Sequence, residues 1–220
     1  MKFISIEGMD GCGKQTQTDL LYKYLLSLNK YKITNLSFPV YTSDSGKIIK
    51  KHLYGEINTE KFSSPYSISL LYSMDRYLNY IENKENINNS DIVLCNRYTM
   101  SNIIYQLPKL PITEHEYYIK WLYDIEFDKI GLPIPDLVLY LSVSNEISQE
   151  LLSKRYNNDS SKKDIYERNI PYLLKCKQCV ENKIKDGILD WKVINCDNNG
   201  KIRDTDDISK DIVKEVLKIL

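Results

Sequence analysis

Apolar positions along the chain fall into five short runs separated by longer stretches of helical periodicity. The runs are Phe3–Ile6, Ile33–Ser37, Ile92–Cys95, Leu137–Leu141 and Lys192–Asn195. Each has the length of a strand rather than a helix. Periodic patterns between them predict helices near residues 15–29, 44–53, 65–82, 114–130, 145–155, 166–186 and 205–219. In the first of these, Leu21, Tyr24, Leu25 and Leu28 recur at three- and four-residue spacing. Strands alternating with helices imply parallel β-α-β units with right-handed crossovers. The predicted fold is therefore α/β: a doubly wound, five-stranded parallel sheet with helices on both faces. Ligands of such sheets sit at the carboxyl ends of the strands, so the chemistry is sought just after each run.

The segment Tyr156–Lys163 breaks the pattern. It is polar, lacks periodicity and lies between two predicted helices. Two readings stay open: a plain surface loop, or a short lid over residues of about 155–166 carrying basic side chains to the strand ends. At 220 residues the chain fits one domain, 1–220.

After the first run comes Gly8-Met9-Asp10-Gly11-Cys12-Gly13-Lys14-Gln15-Thr16, which has the Gly-x-x-x-x-Gly-Lys spacing of a phosphate-binding loop. Glycines let the backbone turn several N–H groups into one concavity, and the following helix adds the positive end of its dipole. The required context, strand before and helix after, is present. One position departs from the pattern: the residue after the lysine is Gln15 where a Ser or Thr hydroxyl ordinarily completes a Mg²⁺ shell.

The other strand ends add to this site. After the third run come Asn96-Arg97-Tyr98, then Ser101, Asn102, Tyr105 and Gln106. An arginine beside a phosphate site is a natural clamp, through its planar fork of donors. Phe38-Pro39 follows the second run. Tyr72 and Arg76 lie four apart on one helix face. Together these residues predict a stacking platform for a base and arginines for a second phosphate group.

Composition narrows the field. Thirty basic and thirty acidic residues cancel, which argues against nucleic acid or an anionic membrane as the main partner. No apolar run nears the ~20 residues that span a bilayer, and the apolar start, broken by Glu7, does not read as a signal peptide. Five cysteines, an odd number, read as a reducing cytoplasm. Cys176 and Cys179 form a C-x-x-C pair on a predicted helix without a second ligand pair, and read as two thiols on one face rather than a metal site.

Six collinear segments resemble thymidylate kinases, within the nucleoside-monophosphate kinases of the P-loop kinase fold. They are Ile6–Lys14, Phe38-Pro39, Leu71–Arg76, Asn96-Arg97-Tyr98 through Ser101, Gly131–Leu141 and Tyr166-Glu167. The resemblance implies transfer of the γ-phosphoryl of ATP to dTMP, giving dTDP and ADP for dTTP supply, with Mg²⁺ as cofactor and a cytoplasmic homodimer as the working form. It implies that ATP is bound by Gly8, Met9, Asp10, Gly11, Cys12, Gly13, Lys14, Gln15, Thr16 and Arg155. It places dTMP against Asp10, Phe38, Tyr72, Arg76, Arg97, Ser101, Asn102, Tyr105, Gln106 and Tyr166. Tyr72 stacks on the base, Phe38 walls its pocket, and Arg76 orients monophosphate and base. Ser101, Asn102 and Gln106 meet the base edge, and Tyr105 crowds the sugar 2′ carbon. Lys14, Asp10, Arg97 and Arg155 are the implied catalytic set. Gly11, at a position where some relatives carry arginine, makes this chain resemble the type that supplies a catalytic arginine from the lid.

Departures from the family pattern cluster. Gln15 replaces the metal-shell hydroxyl, and Asn96 replaces the aspartate before the arginine. Ile165 stands where an arginine often precedes Tyr-Glu, and Lys162, Lys163 or Arg168 could compensate. Tyr41 stands where many relatives carry an arginine beyond Phe-Pro. Two alternatives follow: a related deoxynucleoside-monophosphate kinase with another base preference, or a nucleotide-binding protein of weakened activity.

Overall fold

A computed structural model describes residues 1–57, 63–198 and 200–220. Strands β1 (Lys2–Gly8), β2 (Ile33–Ser37), β3 (Ile92–Asn96), β4 (Leu137–Ser142) and β5 (Lys192–Asn195) form one sheet in the order β2-β3-β1-β4-β5. Every pairing within it is parallel. The five predicted strands are all present, each within two residues of its expected ends. The order reverses direction at β1, so the loop after β1 opens at the switch point, where a crevice forms.

Alternation along the strands sorts the core onto two faces. Ile4, Ile6, Ile92, Leu94, Leu139 and Leu141 face one way, and meet Leu21 and Leu25 of α1 (Lys14–Ser27) with Ile208, Ile212 and Val216 near the C-terminus. Phe3, Val93, Cys95, Val138 and Tyr140 face the other way, against Ile103, Tyr118, Leu122 and Leu173. The second face is covered by elements on which the site depends.

The remaining helices follow in chain order. α2 spans Asp44–Leu53 and α3 spans Pro65–Glu82, entered through a Ser64 cap with proline in its first turn. A short α4 (Lys84–Asn88) precedes β3, and α5 (Met100–Gln106) follows it. Next come α6 (His115–Tyr123), α7 (Asn145–Arg155), α8 (Ile170–Lys185) and α9 (Thr205–Leu217).

Three differences from the sequence pattern stand out. The continuous helix expected over 114–130 is α6 followed by a wider turn of π-helix, Asp124–Lys129. The wider turn accommodates a change of phase that places Glu126 wholly inside the protein. The helix expected from residue 166 starts at Ile170, because Asp164 accepts from the amides of Tyr166 and Glu167 (2.8 Å each) and holds that stretch as a turn. α5 and a small hairpin, β6 (Asp197–Asn198) with β7 (Lys201–Ile202), had no predicted counterpart, being too short for a periodic signal.

Candidate active site

The loop after β1 is built around its glycines. Gly8 has φ +149°, and a Cβ there would lie 2.6 Å from Cys12 Sγ and 2.7 Å from the Leu141 carbonyl oxygen. Gly13 is left-handed (φ +85°) and caps α1 with no side chain. The first-turn amides of α1 therefore meet no capping side chain, which suits an anion. Lys14 folds back into the loop, donating to the carbonyl oxygens of Gly8 (3.0 Å) and Met9 (2.7 Å). Burial, and then the Arg97 charge, push its ammonium pKa down.

Two cavities open from this point. The larger runs along the phosphate loop, lined by Gly11, Gly13, Lys14 and Gln15, by Asn96, and by Arg155, Tyr156 and Glu167 from the end of α7 and the segment after it. Gly8, Met9 and Cys12 form the back of the loop and do not line it; Thr16 is exposed and stands outside it. The second cavity, about 600 Å³ with its mouth, lies between α3, α5 and the turn before α8. All ten residues expected around the acceptor line it: Asp10, Phe38, Tyr72, Arg76, Arg97, Ser101, Asn102, Tyr105, Gln106 and Tyr166. Its size suits one small ligand. Asp10 and Arg97 line both cavities and stand where they meet.

Arg97 occupies the left-handed region (φ +64°), uncommon for a side chain of this size. Its guanidinium pairs with Asp10 and lies 5.7 Å above the Tyr105 ring. Tyr105 also donates its hydroxyl to Asp10 (2.7 Å). Burial pushes the Asp10 carboxyl up, but Arg97, Lys14 and the Tyr105 hydroxyl together hold it below the ordinary value. What pins the Arg97 turn is Glu7, fully buried at the end of β1. Glu7 accepts from the Tyr98 amide (2.6 Å) and from the hydroxyls of Ser101 (2.7 Å) and Ser5 (2.9 Å). The Ser101 proton, expected to serve a base edge, is thus committed to Glu7.

A second buried carboxylate organises the acceptor floor. Glu126 receives Arg76 Nε (2.8 Å) and Nη2 (2.5 Å), Ser73 Oγ (2.6 Å), Thr99 Oγ1 (2.6 Å) and Asn102 Nδ2 (3.3 Å). Arg76 is 2% exposed, so its fork is spent on Glu126 and its remaining edge faces the cavity. Burial disfavours its charge, and Glu126 more than offsets that. Gln106 is also buried, and its Oε1 has no partner. Asp75 accepts from the Val40 amide (3.1 Å) and from the hydroxyls of Ser43 (3.2 Å) and Ser45 (2.7 Å). It thereby fixes the loop after the cis Phe38–Pro39 bond.

The segment after α7 turns inward at its far end. Glu167 accepts Tyr156 Oη at 3.0 and 2.9 Å and lies 4.0 Å from Arg155 Nη1. Arg155 lines the phosphate-side cavity. Lys162, Lys163 and Arg168 turn instead to Asp159 (3.5 Å), Gln149 (3.0 Å) and the Ser161 carbonyl (2.6 Å). Asp164 lines both cavities; burial and the Asp10 charge push its carboxyl up to about 7. The supporting carboxylates Glu7, Asp75, Glu126 and Asp164 were missed in the sequence. An acidic residue inside an apolar run is the one local signal that Glu7 offers.

A parallel sheet with the glycine loop after its first strand and an arginine at the junction of two cavities define a P-loop nucleotide kinase fold. The family model for thymidylate kinase matches residues 6–205. The thymidylate kinase of Plasmodium falciparum is 32% identical over 218 residues, 99% of this chain and 90% of that protein. That of Dictyostelium discoideum is 31% identical over 210 residues, covering 96% and 82%. Among solved structures, the thymidylate kinase of Candida albicans superimposes with a TM-score of 0.69 at 23% identity, covering 99% of this chain and 91% of its own. The chain belongs to the thymidylate kinase family.

Proposed function

We propose that the protein transfers the γ-phosphoryl of ATP to the 5′-phosphate of dTMP. The observation that carries this reading is the junction: Asp10 and Arg97 line the phosphate-loop cavity and the acceptor cavity alike. Phosphoryl transfer asks for in-line placement and charge neutralisation rather than covalent chemistry. Lys14 and the loop amides hold the donor phosphates, whose oxygens replace the carbonyls that Lys14 now contacts. Arg97 bridges to the acceptor phosphate, and Arg155 supplies charge from the lid. Tyr72 and Phe38 sandwich the base. Arg76, held by Glu126 and by the Tyr98 carbonyl (3.5 Å), lines the acceptor cavity and orients monophosphate and base. Asn102 and Gln106 read the base edge, and Tyr105 and Tyr166 close on the sugar.

Mg²⁺ fits the donor set. The described residues contain no cluster of three acidic, His or Cys side chains that could hold an ion outright. One hard-oxygen group stands at the cavity wall, the Asp10 carboxylate. The nucleotide and water complete such a shell. The ion, when bound, neutralises phosphate charge.

We also propose a single kinase domain with a lid at residues 155–166, working in the cytoplasm as a homodimer. All five cysteines are free, and among the described residues no helix is long and apolar enough to cross a membrane. Leu70, Met74, Leu78 and Ile81 form an exposed apolar stripe along α3, the kind of surface a second copy covers.

The deciding experiment is coupled ADP release with dTMP, dUMP, dGMP and dCMP as acceptors. Preference for dTMP is expected. Absence of turnover with dTMP above the other three overturns the reading.

A further inference from the structure

A third, smaller apolar cluster lies behind the acceptor cavity. Ile49 and Leu53 of α2 pack there on Tyr166, with Tyr72 of α3, Ile165 and Tyr172 around them. The Ile165 amide donates to the Leu53 carbonyl (3.0 Å), so the turn before α8 is tied to the end of α2. His52, on α2 between Ile49 and Leu53, is 1% exposed. Its ring lies edge-on to Tyr72, with centroids 6.4 Å apart, and to Tyr166 at 5.8 Å. It lines neither cavity, whereas Tyr72 and Tyr166 both line the acceptor cavity.

One oxygen gathers the polar contacts here. Tyr166 Oη shares a hydrogen bond of 3.1 Å with His52 Nε2 and accepts from Lys109 Nζ (3.1 Å), whose ammonium also sits 4.7 Å above the Tyr166 ring. Burial, and then the Lys109 charge, push the His52 ring down to about 4. The imidazole is therefore neutral near pH 7, and it can share a proton with a phenol that an ammonium already engages. Lys109 reaches the hydroxyl on a long side chain from an exposed position, and ordering that side chain costs rotamer freedom. His52 reaches it from inside the protein on a short, packed ring.

The ring held in this way belongs to the acceptor wall. Tyr166 lies on the turn that Asp164 braces, so hydrogen bonds fix its backbone but not the swing of its side chain. Tyr172 stacks on it at 5.7 Å and donates its hydroxyl to the Tyr105 carbonyl. The Tyr105 ring is tilted against Tyr166 at 6.0 Å, and its own hydroxyl is committed to Asp10. A restraint at the Tyr166 hydroxyl, the far end of the ring from the backbone, sets how closely Tyr166 approaches Tyr105.

We propose that His52 is a positioning residue for sugar selectivity: through Tyr166 Oη it holds the Tyr166 ring against Tyr105, and so fixes the wall that the acceptor's sugar meets. A ribose hydroxyl needs that wall to give way, and a deoxyribose does not. His52 touches no substrate and acts only through Tyr166.

This inference rests on the acceptor reading of the cavity, and its test keeps the two apart. kcat/KM is measured for dTMP and for its ribose analogue, with KM for ATP and thermal melting alongside. His52→Phe keeps a ring and loses the nitrogen. His52→Gln loses the ring but brings an amide to the height of Nε2, and His52→Asn stops short of it. His52→Phe is expected to lower the preference for deoxyribose about fivefold, the scale of one neutral hydrogen bond. His52→Gln should recover most of that preference and His52→Asn should not, with KM for ATP little changed in all three. With Tyr166→Phe already in place, His52→Phe should change the preference less than about twofold, because the atom it acts through is gone. Should His52→Phe fail to fold, the Gln and Asn variants carry the same comparison, since both bury an amide and differ in reach. An unchanged sugar preference in His52→Phe, or equal preferences in the Gln and Asn variants, overturns the inference even where melting falls, because His52 then serves packing alone. So does an effect of His52→Phe that persists in full beside Tyr166→Phe. An unaltered protein that neither binds nor turns over dTMP overturns the acceptor reading and this inference with it.

Discussion

Glu126→Gln tests whether the acceptor cavity is held by the buried pair beneath it. Glu126 is 0% exposed and Arg76 2%, so neither charge has water to fall back on. Five hydrogen bonds converge on the two carboxylate oxygens, all from donors. The amide preserves shape but removes the charge and sets an NH₂ against groups that donate. Arg76 is left as a buried cation without its counter-charge. Removing one partner of a buried pair costs about 3–5 kcal/mol. For a chain of this size each kcal/mol shifts Tm by roughly 2–4 °C, so a fall on the order of 10 °C is expected.

Stability alone would not separate bracing from function, so dTMP supplies the second readout. Thermal melting is followed with and without dTMP, and KM for dTMP and for ATP is measured below the transition. The reasoning predicts that KM for dTMP rises at least about tenfold, because Arg76 and Asn102 both lean on Glu126, while KM for ATP changes little. The double variant Arg76→Met with Glu126→Leu, which removes both charges, should recover most of the lost Tm and none of the dTMP affinity. A Tm within 2 °C of the unaltered protein, on the scale of less than about 1 kcal/mol, together with an unchanged KM for dTMP, would refute the argument.

Three further outcomes follow from the same geometry. Arg97→Lys keeps the charge but loses the fork that pairs with Asp10, and should lower kcat about 100-fold while ATP affinity, read by equilibrium titration, changes little. Gln106→Leu removes the unpartnered buried oxygen, so the free protein should melt no lower than before, and higher by up to about 1 kcal/mol, while dTMP selectivity over dCMP falls; a destabilised variant with intact selectivity would show that Gln106 serves packing instead. Asp164 has a raised carboxyl pKa near 7, so the folded state holds a proton that the unfolded chain releases near 4. Its contribution to stability is therefore present at low pH and lost as pH rises through about 7. Asp164→Asn should flatten the fall in Tm across that window, measured by melting at closely spaced pH values.

The fold and many of the residues that line the two cavities were legible because both depend on local spacing. Strand-length apolar runs located β1 to β5, and the glycine loop and the arginine after β3 lie where a parallel sheet presents its strand ends. The bracing carboxylates were not legible. Glu126 lies 50 residues from Arg76, and the helical periodicity around it predicts an unbroken helix. Only the π turn turns its side chain inward. Gln15 and Asn96 were each visible as departures, but nothing in a linear reading places residues 81 positions apart in hydrogen-bond contact. The start of α8 was misjudged for a related reason, since the side chain of Asp164 competes with the helix for two amides.

The distribution of bracing has a mechanistic consequence. On the acceptor side, Glu7, Asp75 and Glu126 each fix a loop or a side chain through several short hydrogen bonds inside the protein, so the base pocket and the Arg97 turn exist before any ligand arrives. On the donor side the restraints are fewer and weaker. The Arg155 side chain is 55% exposed and lies 4.0 Å from its nearest acidic partner. Lys14 is tied to the loop carbonyls of Gly8 and Met9 and to Cys12 Sγ (3.7 Å), partners that a phosphate oxygen can replace. Preorganised contacts discriminate between ligands, because a wrong base strands buried polar atoms that cannot move to meet it. Contacts that form on binding discriminate less and answer more to ionic strength, since an exposed cation gains from phosphate charge through a screened field. Base selectivity is therefore expected of the braced half of the site. Sensitivity of ATP binding to salt is expected of the half where the exposed Arg155 stands.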